Sequence, residues 1–274
     1  MLLSLRQKLP PLRILLSGIF LLVIILWIFL PSVFAPNAMA INIQSTKLPP
    51  GSPGYFLGTD ALGRDVFKLL VAGSRNAFIG PLCIATASLI MGLILGSIAA
   101  WFGGWWNKII SSYADITLSM PAELLAVASA AIIGGGYWVC VLVMIILYSP
   151  YDIRLVRAAV LEQKSKPYIE SAIMLRLSTT RILSKHIFPN VALVVMINYF
   201  LNIAYALMSM STLAFLGLGV GPQEADWGRQ VSDGRELLIR NPAVSISAGL
   251  VIILTTVSIN LIGRYLLERS GLDA

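Results

Sequence analysis

Five stretches of the chain carry no Asp, Glu, Lys or Arg: 14–46, 76–107, 124–151, 187–223 and 241–263, the longest of them 37 residues. About 20 mostly apolar residues suffice for a helix to cross the roughly 30 Å hydrocarbon core of a bilayer. A soluble core has no use for such runs. Charged residues are 12% of the 274 here, against about 25% in an ordinary soluble domain. The pattern excludes an ordinary cytosolic enzyme, a disordered chain and a nucleic-acid binder, although the net charge is +7. It describes an all-α integral membrane protein.

Within the windows the apolar runs predict six transmembrane helices, near 14–30, 77–102, 116–133, 137–149, 187–210 and 243–262. The fourth is short and is expected to continue past Pro150 into the more polar stretch behind it. Pro31, Pro36, Pro49, Pro50 and Pro53 follow the first run and read as non-helical chain outside the bilayer. The organisation expected is 1–30 for the N-terminus and first span, 31–76 for an extracytoplasmic segment, and 77–274 for a core with five spans and a loop at about 162–190.

A cytoplasmic N-terminus puts 13 of the 20 Lys and Arg on inner segments and leaves seven outside: Lys47, Arg64, Lys68, Arg75, Arg229, Arg235 and Arg240. The positive-inside rule then places both termini in the cytoplasm. The basic balance thus follows from topology. The 17-residue apolar run behind Arg6, Lys8 and Arg13 exceeds the roughly 7–15 of a signal peptide, and it reads as a retained span. Cys83 and Cys140 both fall in spans as small hydrophobes.

The chemistry of a self-contained enzyme is missing. No GxxxxGK[ST] loop, HExxH, CxxC or GxSxG occurs, and His186 is the single histidine. No catalytic, cofactor-binding or metal site is expected in this chain.

One inner segment carries information. Ser165 is a candidate N-cap, Pro167 suits the first turn of a helix, and Glu170 falls where the helix dipole favours an acid. Tyr168, Ile169, Ala172, Ile173 and Leu175 recur at helical spacing, and Arg176, Arg181, Lys185 and His186 follow. Such a helix fits either a membrane surface or a groove on a partner protein.

Glu170, Ser171 and Ala172, followed by His186, Ile187, Phe188, Pro189 and Asn190, resemble the EAA loop of ABC importer permeases, with Pro189 at its end. Leu57, Gly58, Thr59, Asp60, then Leu62, Gly63, Arg64, Asp65, resemble the LGTDxLGRD signature of the dipeptide/oligopeptide/nickel branch. Phe102, Gly103 and Gly104, and Phe215 to Gly219 followed by Trp227 and Gly228, resemble two more of its motifs. The resemblance covers about residues 55–264.

It implies the type I importer permease fold: six transmembrane helices with a cytoplasmic coupling helix, in the bacterial cytoplasmic (inner) membrane. It also implies a second homologous permease, as a heterodimer, two ATP-binding subunits that carry the ATP and Mg, and an extracytoplasmic solute-binding protein. The implied cargo is peptides, nickel or metal chelates. Tyr168, Glu170, Ser171, Ala172 and Arg176 would form the coupling helix, with Ala172 allowing close approach to the ATPase and Glu170 pairing with an arginine there. The family usually has glycine where Arg176 stands, which predicts a stiffer helix end. The segment Arg264, Tyr265, Leu266, Leu267, Glu268 also departs from the family's tail.

Other residues keep two readings. Asp60, Arg64 and Asp65 suit a tight turn into a short helix at 65–71, where an Asp caps the helix or the group meets the binding protein. Trp227 is an interfacial anchor or part of the same contact. Asp115 lies near the end of the third span. Glu123, two residues after Pro121, is the one charge read as deep in a span, and it either lines the pathway or pairs with the partner permease. Asn198, Asn202 and Asn260 read first as interhelical hydrogen-bonding groups, with a pathway role for Asn198 and Asn202 second. Gly92 and Gly96 form a GxxxG pair that favours close packing. The alternative function is an ion-coupled secondary transporter, for which only Glu123 offers a coupling carboxylate and no internal repeat is visible.

Overall fold

The computed structural model describes residues 11–269, so Arg6 and Lys8 of the topology argument lie outside the described residues. Among the described residues the regular structure is helical, with isolated bridges such as Thr59 to Asp65 besides, in the turn-rich stretch 35–65. The helices are α1 (Leu12–Phe29), α2 (Val66–Phe102), α3 (Gly104–Leu118), α4 (Ala122–Ile133), α5 (Tyr137–Lys164), α6 (Pro167–Met174), α7 (Thr179–Phe215), α8 (Trp227–Gly234) and α9 (Ala243–Arg269). Among them α1, α2, α5, α7 and α9 are each long and apolar enough to cross a membrane, and the bent pair α3–α4 makes six if the two are counted as one span.

The long helices outrun the predicted spans for one reason. Their extensions are amphipathic, so charge hides them from a search for apolar runs. α2 begins at Val66, not 77, because Val66, Leu69, Leu70 and Val71 are buried while Lys68 is half-buried and Arg75 exposed. The helix foreseen at 65–71 is the first turns of this span. α5 continues through Pro150 as expected and reaches Lys164, and α7 begins at Thr179. At 1.5 Å rise per residue, the 37 residues of α2 make a rod of about 55 Å, well beyond the hydrocarbon thickness.

Two expectations need correction. The third span is not one helix: α3 and α4 meet at 86° across Ser119, Met120 and Pro121. Pro121 has no amide proton to continue α3 and disfavours helical geometry at Met120. The proline-rich segment is also not free of helix, since Pro31–Phe34 form a short one with Pro31 at its first position, where a fixed φ and a missing N–H cost nothing.

α5 is the hub of the bundle, touching α2, α3, α4 and α7. Ile84 of α2, Ala126 and Ala130 of α4, Cys140, Val141 and Met144 of α5, and Ala206 and Met210 of α7 form one cluster. Small residues let these helices approach closely where lipid supplies no hydrophobic drive for association. At the α2–α5 crossing, a Cβ on Gly92 would lie 2.5 Å from Cβ of Asp152, and one on Gly96 would lie 2.8 Å from the Ile153 carbonyl. α2 widens into a single π-type turn at Gly92–Gly96 where this contact is made.

Candidate functional site

α6 hangs between the end of α5 and the start of α7. Lys166 occupies its N-cap without a capping side-chain bond, and the Ser165 hydroxyl donates back to the Glu162 carbonyl. Ser165 is therefore not the cap. Ile169 and Ala172 are buried against Ala100, Val156, Val160, Ile182 and Val191, with Ala172 only 5% exposed. This corrects the role given to Ala172: its small side chain allows close approach to this chain's own bundle, not to a partner. The outward face carries Glu170, Ser171, Ile173 and Met174, the last 81% exposed. Tyr168 ties the helix down by donating to Gln163 Oε1 at 2.6 Å, and its hydroxyl accepts from the Asn190 amide at 3.3 Å, one residue beyond Pro189.

The end of α6 explains how an arginine replaces the usual glycine. Arg176 takes φ +54°, its N–H donates to the Ile173 carbonyl, and Leu177 N–H donates to Ala172. These two bonds make a Schellman cap whose left-handed position favours glycine. The chain turns as the glycine would, with strain rather than stiffness as the cost. Arg176→Gly is expected to stabilise the loop by about 1 kcal/mol, read as slower hydrogen exchange at Arg176 and Leu177; unchanged or faster exchange would count against it.

At the opposite end, the chain before α2 folds into a polar cap. Asp60 Oδ1 accepts from Leu62 N and Arg64 N, and Arg64 Nε donates to Asp60 Oδ2 at 2.6 Å. Arg64 Nη2 and Arg229 Nε lie 3.7 and 3.6 Å from Asp233 Oδ2. Asp65 caps α2 by accepting from Phe67 N and Lys68 N. Gly63 adopts φ +75° and leaves no room for a side chain, since a Cβ would fall on the Asn42 carbonyl. Trp227 is fully buried, and its indole N–H donates to the Leu70 carbonyl at 2.8 Å. Asp60, Arg64 and Trp227 thus build the cap from inside, while its surface is left to other residues. Beside it, a recess of about 660 Å³ is lined by Arg75, Asn76, Tyr137, Trp138 and Glu224, among others.

Asp226 starts α8 by accepting from Arg229 N. Burial pushes its carboxyl up to about 6, outweighing the α8 amides and the Arg229 charge that pull it down. A raised acid pKa means a stabilising contribution that is full below the unfolded value and lost as pH rises through about 6. Asp226→Asn, which keeps the cap, is expected to raise the melting temperature near pH 7.5 and to change it little near pH 4. Equal shifts at both pH values would refute this.

Two polar clusters lie within the spans. Glu123, in the first turn of α4, is exposed on this chain and accepts from Ser209 Oγ at 3.4 Å, and Ser209 in turn bonds the Tyr148 hydroxyl at 2.9 Å. The second is centred on Asp152 of α5, which is 0% exposed. Asn198 Nδ2 donates to its Oδ1 at 2.5 Å, and Asn202 Nδ2 lies 3.0 Å from both oxygens. Asn198 and Asn202 are engaged between helices. Nearby, Asp115 pairs with Arg154 at an exposed site, and Arg157 donates to Asn107.

The family described as "Binding-protein-dependent transport system inner membrane component" matches residues 92–270. The chain belongs to this family. Among its relatives, the glutathione transport system permease protein GsiD of Pectobacterium atrosepticum is 31% identical over 258 residues, covering 94% of this chain and 85% of that one. The dipeptide transport system permease protein DppC of Alkalihalophilus pseudofirmus is 32% identical over 256 residues, covering 92% and 84%. An inward-facing structure of the MetNI methionine ABC transporter shares the fold, with a TM-score of 0.61 at 17% identity over 73% of this chain and 95% of that one. The permease is thus an inner-membrane transport subunit of the ABC type, with peptide-type relatives.

Sequence reasoning missed Asp152 in this permease: the fourth span is expected to continue past Pro150, but nothing local in the more polar stretch says which of its residues face another helix. The one hint is charge: Asp152 follows Pro150 within a helix period of Arg154 and Arg157, and only it lacks a reason to face the headgroups.

Proposed function

We propose that this permease forms half of the transmembrane pathway of an ATP-driven importer for peptides. It pairs with a second, homologous permease, with two ATP-binding subunits at the α6 end and a solute-binding protein at the cap end. Both termini are then cytoplasmic, and ATP and Mg are held by the ATP-binding subunits. The observation that carries the reading is α6: a short helix anchored through Ile169 and Ala172 and presenting Glu170, Ile173 and Met174 outward. Closure of the ATPase pair draws the two coupling helices together and shifts the permeases from inward- to outward-facing, through the state that the nucleotide-bound ATPases prefer. Peptides are favoured over nickel or metal chelates because the relatives are named for glutathione and dipeptides.

Glu123 lines the pathway in this reading. It is exposed at the bend of the α3–α4 span, next to Ser209 and Tyr148, and a carboxylate there suits the ammonium of a peptide. The recess bearing Arg75 and Glu224 receives cargo from the binding protein, while Asp60, Arg64, Asp65 and Trp227 hold together the cap beside it.

The test is uptake of labelled peptide into liposomes containing the assembled complex, with ATP inside and binding protein outside. Uptake is expected to need both. Glu123→Gln is expected to raise KM for peptides with a free amino terminus by about tenfold, with little effect on N-acetylated ones. Uptake driven by a proton gradient without ATPase would replace this reading by an ion-coupled secondary transporter.

A further inference from the structure

We infer that Asp152 is a positioning residue of the transport cycle: by holding Asn198 and Asn202 it locks α5 to α7, so that the two helices flanking α6 answer a displacement of α6 as one body. The inference rests on the importer reading above.

A carboxyl group buried among membrane-spanning helices is costly and persists where its oxygens are satisfied. Here both amide donors come from one neighbouring helix. Asn198 and Asn202, one turn apart on α7, aim their amide nitrogens at the two oxygens of Asp152. Ser88 of α2 is a further polar neighbour. The basic residues that follow on α5 turn away, Arg154 to Asp115 and Arg157 to Asn107 on α3. The carboxyl is therefore engaged with α7 rather than with a cation.

Sterics close the site from the other side. Gly92 of α2 sits against the Cβ and backbone of Asp152 so tightly that an added methyl would clash at 2.5 Å. Asp152 is thus held between α2 and α7 and has no room to slide.

Between this clamp and α6, direct contact between α5 and α7 is apolar: Val156 and Val160 meet Ile187, Val191 and Val195, with Ile169 and Ala172 of α6 in the same cluster. Among the described residues the only polar link in this stretch runs through Tyr168 of α6 itself to Gln163 and Asn190. Apolar packing is non-directional and tolerates sliding. Hydrogen bonds from two amides to one carboxyl do not, because a shift along either helix breaks them. The clamp lies twelve residues from the end of α5 at Lys164, about 18 Å at helical rise. A movement of α6 is thus delivered to both helices together instead of being lost as slippage between them.

The test uses the complete complex in liposomes. Asp152→Asn sets an amide against two amides, and Asp152→Asn combined with Asn202→Asp restores a donor–acceptor pair with the carboxyl on α7. We expect the single variant to assemble and hydrolyse ATP while peptide uptake per ATP falls about tenfold, and the double variant to recover most of it. Independently, spin labels at Leu161 on α5 and Val194 on α7, in a Cys83→Ala/Cys140→Ala background, should give one narrow distance distribution with and without ATP. That distribution should broaden in Asp152→Asn. A single variant as well coupled as the parent, an assembled single variant not rescued by the swap, or a parent distance that changes with ATP would each overturn the inference. If Asp152→Asn does not assemble, the parent distance measurement decides alone. Failure of the parent to take up peptide with ATP would strike the importer reading instead, and the distance measurement would still judge the lock.

Discussion

Met174→Glu is expected to leave the permease folded and inserted while lowering ATP-coupled uptake by about two orders of magnitude. Met174 is 81% exposed and belongs to no buried cluster, so its replacement costs the subunit little. In a docked complex the same side chain is covered, and an unpaired carboxylate desolvated in an interface costs about 2–5 kcal/mol. The control is two residues away. Ala172→Glu forces a carboxylate into the cluster of Val156, Val160, Ile182 and Val191 and is expected to reduce the yield of folded subunit. Size-exclusion profiles separate the two outcomes, and binding-protein-stimulated ATPase and uptake then report coupling. A Met174→Glu complex that transports normally would remove α6 from the docking assignment. An Ala172→Glu subunit as stable as the parent would show that the faces of α6 are reversed.

Trp227→Ala is expected to have the largest effect on stability. The indole is fully buried between α2, α7 and α9 and donates to the Leu70 carbonyl. Gly73 and Gly228 make room for this packing, with the ring 3.0 Å from where a Cβ on Gly73 would lie. Truncating a buried tryptophan costs about 3–5 kcal/mol. The expected signs are a lowered melting temperature and new protease cleavage near 216–226, ahead of any change at α6. Trp227→Phe keeps most of the packing but leaves the Leu70 carbonyl without this partner, for about 1–2 kcal/mol. Equal melting of Trp227→Ala and the parent would refute the structural role.

Five of the apolar spans and the presence of α6 were legible because they depend on local pattern: charge-free runs, and Pro167 with an acid three residues on. The motif residues were legible as a set, but not in where they point. The turn and cap read for Asp60, Arg64 and Asp65 are met, with Asp65 as the cap. The alternative of a surface contact fails for Asp60, Arg64 and Trp227, which ion pairing and one indole hydrogen bond hold inside. Ala172 was read correctly as a contact residue but assigned to the wrong neighbour, since a helical stripe does not say what covers it. The starts of α2 and α7 and the partners of Asp152 were not legible, whereas the continuation of α5 past Pro150 was. Charges on an amphipathic extension look like a loop, and the partners of Asp152 lie 46 and 50 residues away on α7.

The bend between α3 and α4 has a consequence for the life of the subunit before assembly. α3 runs alongside α5, with Tyr113 bonded to the Ile146 carbonyl, so the bend at Ser119 to Pro121 lies along the apolar stretch of α5. α4 starts there with no capping side chain, and the amides of a first helical turn have no helical acceptor. Lipid offers none either. In the importer proposed above, water in a shared channel or the second permease would reach this seam and meet these amides. Association would then complete the folding of this chain.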